Sequence, residues 1–535
     1  MLVGLAACAL ILLVDTMAQR PLRLLWHDEF QFHLQSQLLA RFRLWMPAHP
    51  LTDFFDTFYV LVSPVYAPQA FPGAALLFLP TVWLHLPTWL MPLLVTGVTC
   101  GLLWHVLAEL VNRASASAAV FAIVCTPPFA RLATTYMGHV PVLMLGLCAI
   151  AALLAYLRTP RARHLVIIGV SLGWAAITRP LDAACYGVIV AIGLAWAWKG
   201  LPVRTGARAA LLVIAGAAPF LAVQAVFDKG VTGSMLKTPF ALYNEHDQPA
   251  LAFAGTQAAR AEPASRVPQK GEFYSTWTLP SIARHGDPAR NVVQLWRDRL
   301  PVLLPMLGPL ALMIPIALVG LLGLTDRRRV LLFALFPLFV IGYTQYPLFL
   351  YQYATFALPA IALTYALAPE VIARLTRAHA QQARVAMLGL IVALSVTGVM
   401  RDAQRRVVDP MNFEAQLIQQ RVTEQVSAPA IVLFTAPQIA EQMHFEPVYN
   451  DDVAWPDHAP IIRAHDFGAR NAELFRYYAA RQPERVVWSY NRSTGDMTRL
   501  GAVTELAGGV LTSSTAGART PSLPERGALT QRRRY

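Results

Sequence analysis

The chain of 535 residues is 56% hydrophobic and only 14% charged, a composition that excludes an ordinary soluble enzyme and implies a polytopic membrane protein. Its net charge of +13 comes from 44 basic against 31 acidic residues, but the basic residues cluster in short loops between apolar runs, which fits membrane orientation better than nucleic-acid binding. The five cysteines (Cys8, Cys100, Cys125, Cys148, Cys185) all fall in apolar stretches without CxxC or Cys/His spacing, which excludes a disulfide framework and a structural zinc site.

The first apolar run, near 2–18, has no charged leading region and no small-residue cleavage pattern, so it is expected to stay as an anchor. Directly after it comes Trp26-His27-Asp28-Glu29-Phe30. Two adjacent carboxylates at a membrane face are costly unless solvated or employed. Phe30, Leu34, Leu38 and Phe42 then recur at helical spacing between polar residues, which predicts an amphipathic helix lying on the membrane. Pro47 and Pro50 end it, and Phe54, Phe55, Phe58 and Tyr59 form an aromatic cluster suited to the interface. The apolar piece 71–87 is short and punctuated by Pro72, Pro80 and Pro87, so it reads as juxtamembrane or re-entrant.

Further runs near 89–111, 117–134, 137–157, 165–178, 183–198, 209–227, 301–323, 330–346, 353–369 and 385–400 bring the expected spans to about eleven. With the N-terminus inside, the basic loops carrying Arg113, Arg158, Lys199, Arg327 and Arg374 fall on one side. The loops 20–70 and 228–300, the turn 346–352 and everything after Met400 then lie outside. Beyond Met400, Ile431-Val432-Leu433-Phe434 and Arg485 to Tyr490 read as strands, with a helix at 471–480 between them. A small extracytoplasmic α/β domain over 401–508 is expected, followed by a disordered basic tail over 509–535.

A carboxylate at a watery edge of the bilayer can act as general base toward a hydroxyl, which makes Asp28 and Glu29 the leading catalytic candidates, against the alternative of solvated loop acids. Arg179 and Asp182 follow a run from Leu165 that spans only about 20 Å, so their turn should sit below the outer surface. There Arg179 needs a partner, either a phosphate or Asp182. His139 opens the fourth span and can contact substrate or stand idle at the interface. Lys237, after Thr232-Gly233-Ser234, is a weak candidate for phosphate contact.

The acidic pair behind the first span, the helix from Phe30 to Arg43, the Pro-containing Tyr66-Ala67-Pro68-Gln69-Ala70-Phe71-Pro72-Gly73, the triplet Thr178-Arg179-Pro180 and the late-span opening from Tyr353 to Pro359 together resemble the GT-C fold polyprenyl-phosphate-sugar-dependent glycosyltransferases. That superfamily includes the protein O-mannosyltransferases and lipid A aminoarabinose transferases. The resemblance covers about residues 1–400 and implies Asp28 as base, inversion at the anomeric carbon, and Arg179 at the phosphate leaving group. Metal-binding members present a Glu where Gln69 stands here, so no metal or other cofactor is expected. Other members have a second Asp where this chain has Tyr136 and His139, and a basic residue opening the late span where it has Tyr351-Gln352-Tyr353.

The expected fold is thus a polytopic α-helical membrane protein, GT-C-like, with a small C-terminal α/β domain. Asp28 and Glu29 are its catalytic candidates, and His27, His139, Arg179, Asp182, Lys237 and Tyr353 its substrate contacts. Expected partners are a polyprenyl-phosphate sugar, membrane lipids and a glycan, lipid or protein acceptor, at a bacterial-type inner membrane with the chemistry outside. A transporter or flippase of lipid-linked glycans is the other reading.

Overall fold

The computed structural model describes residues 1–251, 265, 267–285, 292–344, 346–404, 410–436 and 445–508. The expected basic tail and parts of the long outer loop lie outside the described residues. Each predicted apolar run coincides with a helix or a broken helical pair. Six runs form single helices, α1 (Leu2–Met17), α3 (Leu90–Leu110), α5 (His139–Arg158), α6 (Ala162–Ala176), α7 (Pro180–Trp198) and α8 (Val203–Thr232), with Pro92, Pro141 and Pro180 tolerated in the first turn of α3, α5 and α7 and Pro219 inside α8. Here α2 is His27–Ala40 and α4 is Arg113–Val124, which stops before Pro127-Pro128 because residues preceding proline avoid helical backbone.

Among the described residues, five helical stretches are long and apolar enough to cross a membrane. The count falls short of eleven because α1, α4 and α6 have 16, 12 and 15 residues and the 301–323 run breaks around Pro305 and Pro309. Close packing compensates where side chains are small. A Cβ at Gly169 of α6 would lie 2.1 Å from the Val213 carbonyl oxygen of α8, so these two backbones meet at a distance only glycine allows. The late helices are α9 (Leu335–Thr344), α10 (Leu358–Thr376) and α11 (Ala380–Gln404). At the end where the arginine-rich loops gather, the Glu370 carboxylate accepts from Asn112 (2.8 Å) and Arg384 (2.9 Å), tying α4, α10 and α11 together.

The 71–87 piece forms two short helices, Gly73–Leu77 and Leu79–Trp83. Before it, β1 (Met46–Pro47), β2 (Val60–Leu61) and β3 (Val65–Pro68) make a small antiparallel sheet ordered β1-β3-β2. The C-terminal part is a four-stranded sheet ordered β5-β4-β6-β7, with β4 (Ala430–Phe434) parallel to β5 (Ile461–His465) and β6 (Val486–Asn491), and β7 (Asp496–Ala502) antiparallel at the edge. Its helix α12 (Asn471–Arg481) is amphipathic, burying Leu474, Phe475 and Tyr478.

Two expectations change here. The helix α2 does not leave its polar face exposed: Gln31, His33, Gln35, Ser36 and Gln37 are buried along with Leu34 and Leu38. The C-terminal domain covers its polar face, with His33 bonded to Asp451 at 2.8 Å and Tyr449 stacked on Phe30. Nor is the aromatic cluster purely interfacial. Phe54 and Phe55 share one core with Ile431, Leu433, Tyr478 and Val487, so the first outer loop and the C-terminal sheet fold as one body.

Candidate active site

One large cavity, about 960 Å³, opens where the N-terminal ends of α2, α5 and α7 converge, and Asp28, His139, Arg179 and Asp182 all line it. Three helix N-termini bring partial positive charge to the same place, which favours an anion. The turn carrying Arg179 is held by the 71–87 piece. The Gly73 N–H donates to the Ile177 carbonyl at 2.7 Å, and a Cβ there would fall 2.2 Å from Thr178 Oγ1. Only glycine lets the two segments touch, which is why the Pro72-Gly73 pair stands opposite Thr178-Arg179-Pro180.

Arg179 is fixed as a fork. Its Nε donates to Asp182 Oδ2 at 2.7 Å, one Nη donates to the Tyr343 hydroxyl at 3.1 Å, and the guanidinium carbon sits 5.3 Å from the centre of the Tyr353 ring. The Tyr343 hydroxyl in turn donates to Asp182 Oδ1 at 2.6 Å. Tyr353 stacks on both Tyr343 (5.2 Å) and His139 (6.0 Å) and so backs the cavity wall. Asp182, expected as a substrate contact, thus serves as the partner that orients Arg179. Tyr343, at the end of α9, and Tyr346 also line the cavity; sequence reasoning missed both, because nothing local marks a tyrosine at the end of an apolar helix as polar machinery.

Asp28 lies in the first turn of α2 and accepts from the Gln31 amide at 3.2 Å. Burial pushes its carboxyl up to about 6, against the lowering pull of the Arg179 charge and the Gln31 hydrogen bond. Gln31 and Gln69 are further cavity residues. Gln31 was within reach of the sequence, since position i+3 on a helix shares a face with position i.

Glu29 is turned the other way, which corrects its expected catalytic place. One oxygen accepts from the backbone N–H of Leu25 (3.0 Å) and Trp26 (3.2 Å), the other from that of Tyr136 (2.9 Å), and the carboxylate faces a separate cavity of about 200 Å³ with Arg20, Arg131 and Asp402. Successive helix residues point about 100° apart, so one acid of the pair faces the large cavity and its neighbour caps the helix. Burial holds the Glu29 carboxyl up at about 7. Glu29→Ala orphans three backbone donors and is expected to cost about 3 kcal/mol or more, read as a lower melting temperature of the purified protein. A variant that melts like wild type would remove this capping role.

Three other expected contacts also lie off the large cavity's wall: Tyr353, which stands behind it, His27 and Lys237. His27 is stacked on Phe58 (4.3 Å) and bonded to the Tyr449 hydroxyl (3.1 Å), because the C-terminal domain closes over it. Lys237 pairs with Glu245 at 2.5 Å on the outside, while its neighbour Thr238 caps the helix Pro239–Asp247 through its hydroxyl. Among the described residues no three of His, Cys, Asp and Glu cluster as a metal site requires, and Asp28 is bonded to the Gln31 amide and feels the Arg179 charge, surroundings that do not suit a divalent cation.

No protein-family model matches the chain, and no curated protein matches it. Its fold is the GT-C fold. In particular, it is similar to the crystal structures of ArnT from Cupriavidus metallidurans, bound to undecaprenyl phosphate (TM-score 0.50) and in the apo state (TM-score 0.51), each at 11% identity over 91% of this chain and 92% of that one. The Archaeoglobus fulgidus oligosaccharyltransferase in complex with Zn and sulfate is also similar, with a TM-score of 0.47 and 14% identity, covering 90% of this chain and 67% of that one.

Proposed function

We propose that the chain is an integral membrane glycosyltransferase that moves a sugar from a polyprenyl phosphate to a hydroxyl of an envelope glycan, lipid or protein outside the cytoplasm. The observation that carries this reading is the placement of Asp28 and Arg179 on the wall of one cavity. The GT-C fold, shared with a protein crystallised with undecaprenyl phosphate, supports it. The rest of the wall suits a lipid-linked donor: Phe71, Pro180, Leu181, Phe240 and Ile341 give an apolar slit, and Ile341 is exposed where α9 meets the surrounding lipid.

In the reaction, ionised Asp28 takes the proton of the acceptor hydroxyl as its oxygen bonds to the anomeric carbon. The bond from that carbon to the phosphate oxygen breaks, and its electron pair leaves on the phosphate, where Arg179 and the helix N-termini meet the charge. Attack from the face opposite the leaving group inverts the anomeric centre. No step calls for a metal.

A base held at about 6 must be ionised to work, so the rate is expected to fall as pH drops through about 6 and to be flat above it until another group titrates. Transfer of labelled sugar from a polyprenyl phosphate, assayed in membranes across pH, tests this. A rate that rises as pH falls below 6 would exclude Asp28 as the base. A transporter of lipid-linked glycans would line the bilayer midplane with charges and broken helices, whereas Asp28, His139, Arg179 and Asp182 here sit at helix N-termini.

A further inference from the structure

Three side chains on the cavity wall carry polar atoms that find no hydrogen-bond partner: Oε1 of Gln31, Oε1 of Gln69, and both ring nitrogens of His139. They are buried, at 3%, 6% and 7% exposure. Buried polar atoms left unpaired destabilise a fold unless a ligand completes them, and functional sites are where such groups persist. The Gln31 amide nitrogen donates to Asp28, which leaves its carbonyl oxygen as the free end. The two carbonyls accept only, and a neutral imidazole offers one donor and one acceptor, so the ligand they await is rich in hydroxyl donors.

The charged groups of the same wall are already committed. Asp182 is paired with Arg179 at 2.7 Å, and Glu245 with Lys237 at 2.5 Å. Asp28 is reserved for the acceptor proton and Arg179 for phosphate. An ammonium on the sugar would find no spare carboxylate, and a carboxylate on the sugar no spare cation.

Resting on the transferase reading, we infer that the donor carries an uncharged, hydroxyl-rich sugar, a hexose or pentose without amino or acid groups, whose hydroxyls are held by Gln31, Gln69 and His139. The test compares three probes on the full-length protein without acceptor: bare undecaprenyl phosphate, the same lipid phosphate carrying a neutral hexose, and the same carrying a 4-amino-4-deoxypentose. The neutral sugar is expected to bind about tenfold tighter than the bare lipid, and the amino sugar no tighter than the bare lipid. Gln69→Leu and His139→Phe should each remove about three- to tenfold of that gain and leave affinity for the bare lipid unchanged, which also shows that the variants are folded. A gain equal or greater for the amino sugar, or one that survives both substitutions, overturns the sugar assignment alone. Wild-type protein that binds none of the three overturns the donor reading as well.

Discussion

Asp28→Asn is expected to lower sugar transfer by about a thousandfold while leaving the affinity for a polyprenyl phosphate near that of wild type. The substitution keeps the shape of the side chain and an oxygen for the Gln31 amide, and it removes a charge that burial already disfavours. The folded state therefore has no reason to weaken, and unchanged melting alongside lost transfer would isolate the proton step. Wild-type transfer by the variant would leave the mechanism without its base.

The second large effect is at Arg179. Arg179→Ala removes the cation that meets the leaving phosphate, with an expected loss of about a hundred- to a thousandfold in kcat/KM. It also strands Asp182, which is 2% exposed, and breaking a buried pair in this way costs about 3–5 kcal/mol. The two effects separate in the double variant Arg179→Gln, Asp182→Asn, which carries neither charge and keeps hydrogen-bonding groups for Tyr343. It should melt close to wild type and still fail to bind undecaprenyl phosphate. Binding as tight as wild type by that variant would show that the phosphate sits elsewhere.

The sequence carried the positions of the apolar helices because apolar runs and their proline breaks are local signals, but not the number long enough to span, five among the described residues against about eleven expected. Of the site, it carried the residues whose oddity is local as well: Asp28 behind the first apolar run, Arg179 after a short one. What it could not carry is direction and distance. Adjacent letters suggested that Asp28 and Glu29 work together, but the helical turn separates them. His27 looked available until Tyr449, far along the chain, claimed it, and Lys237 until Glu245, eight residues on, paired with it. The burial of α2 depended on Asp451 and Tyr449, more than 400 residues away in the chain, and no periodicity within α2 reports such a cover.

That cover bears on how the protein is made. Phe54 and Phe55 emerge from the ribosome long before the strands whose core they complete, Ala430–Phe434 and Val486–Asn491. Assembly around α2 must wait for those strands. A nascent chain halted before them holds every wall residue of the cavity and still lacks the cover over α2, so quality control by proteolysis should clear truncated products rather than leave them partly folded.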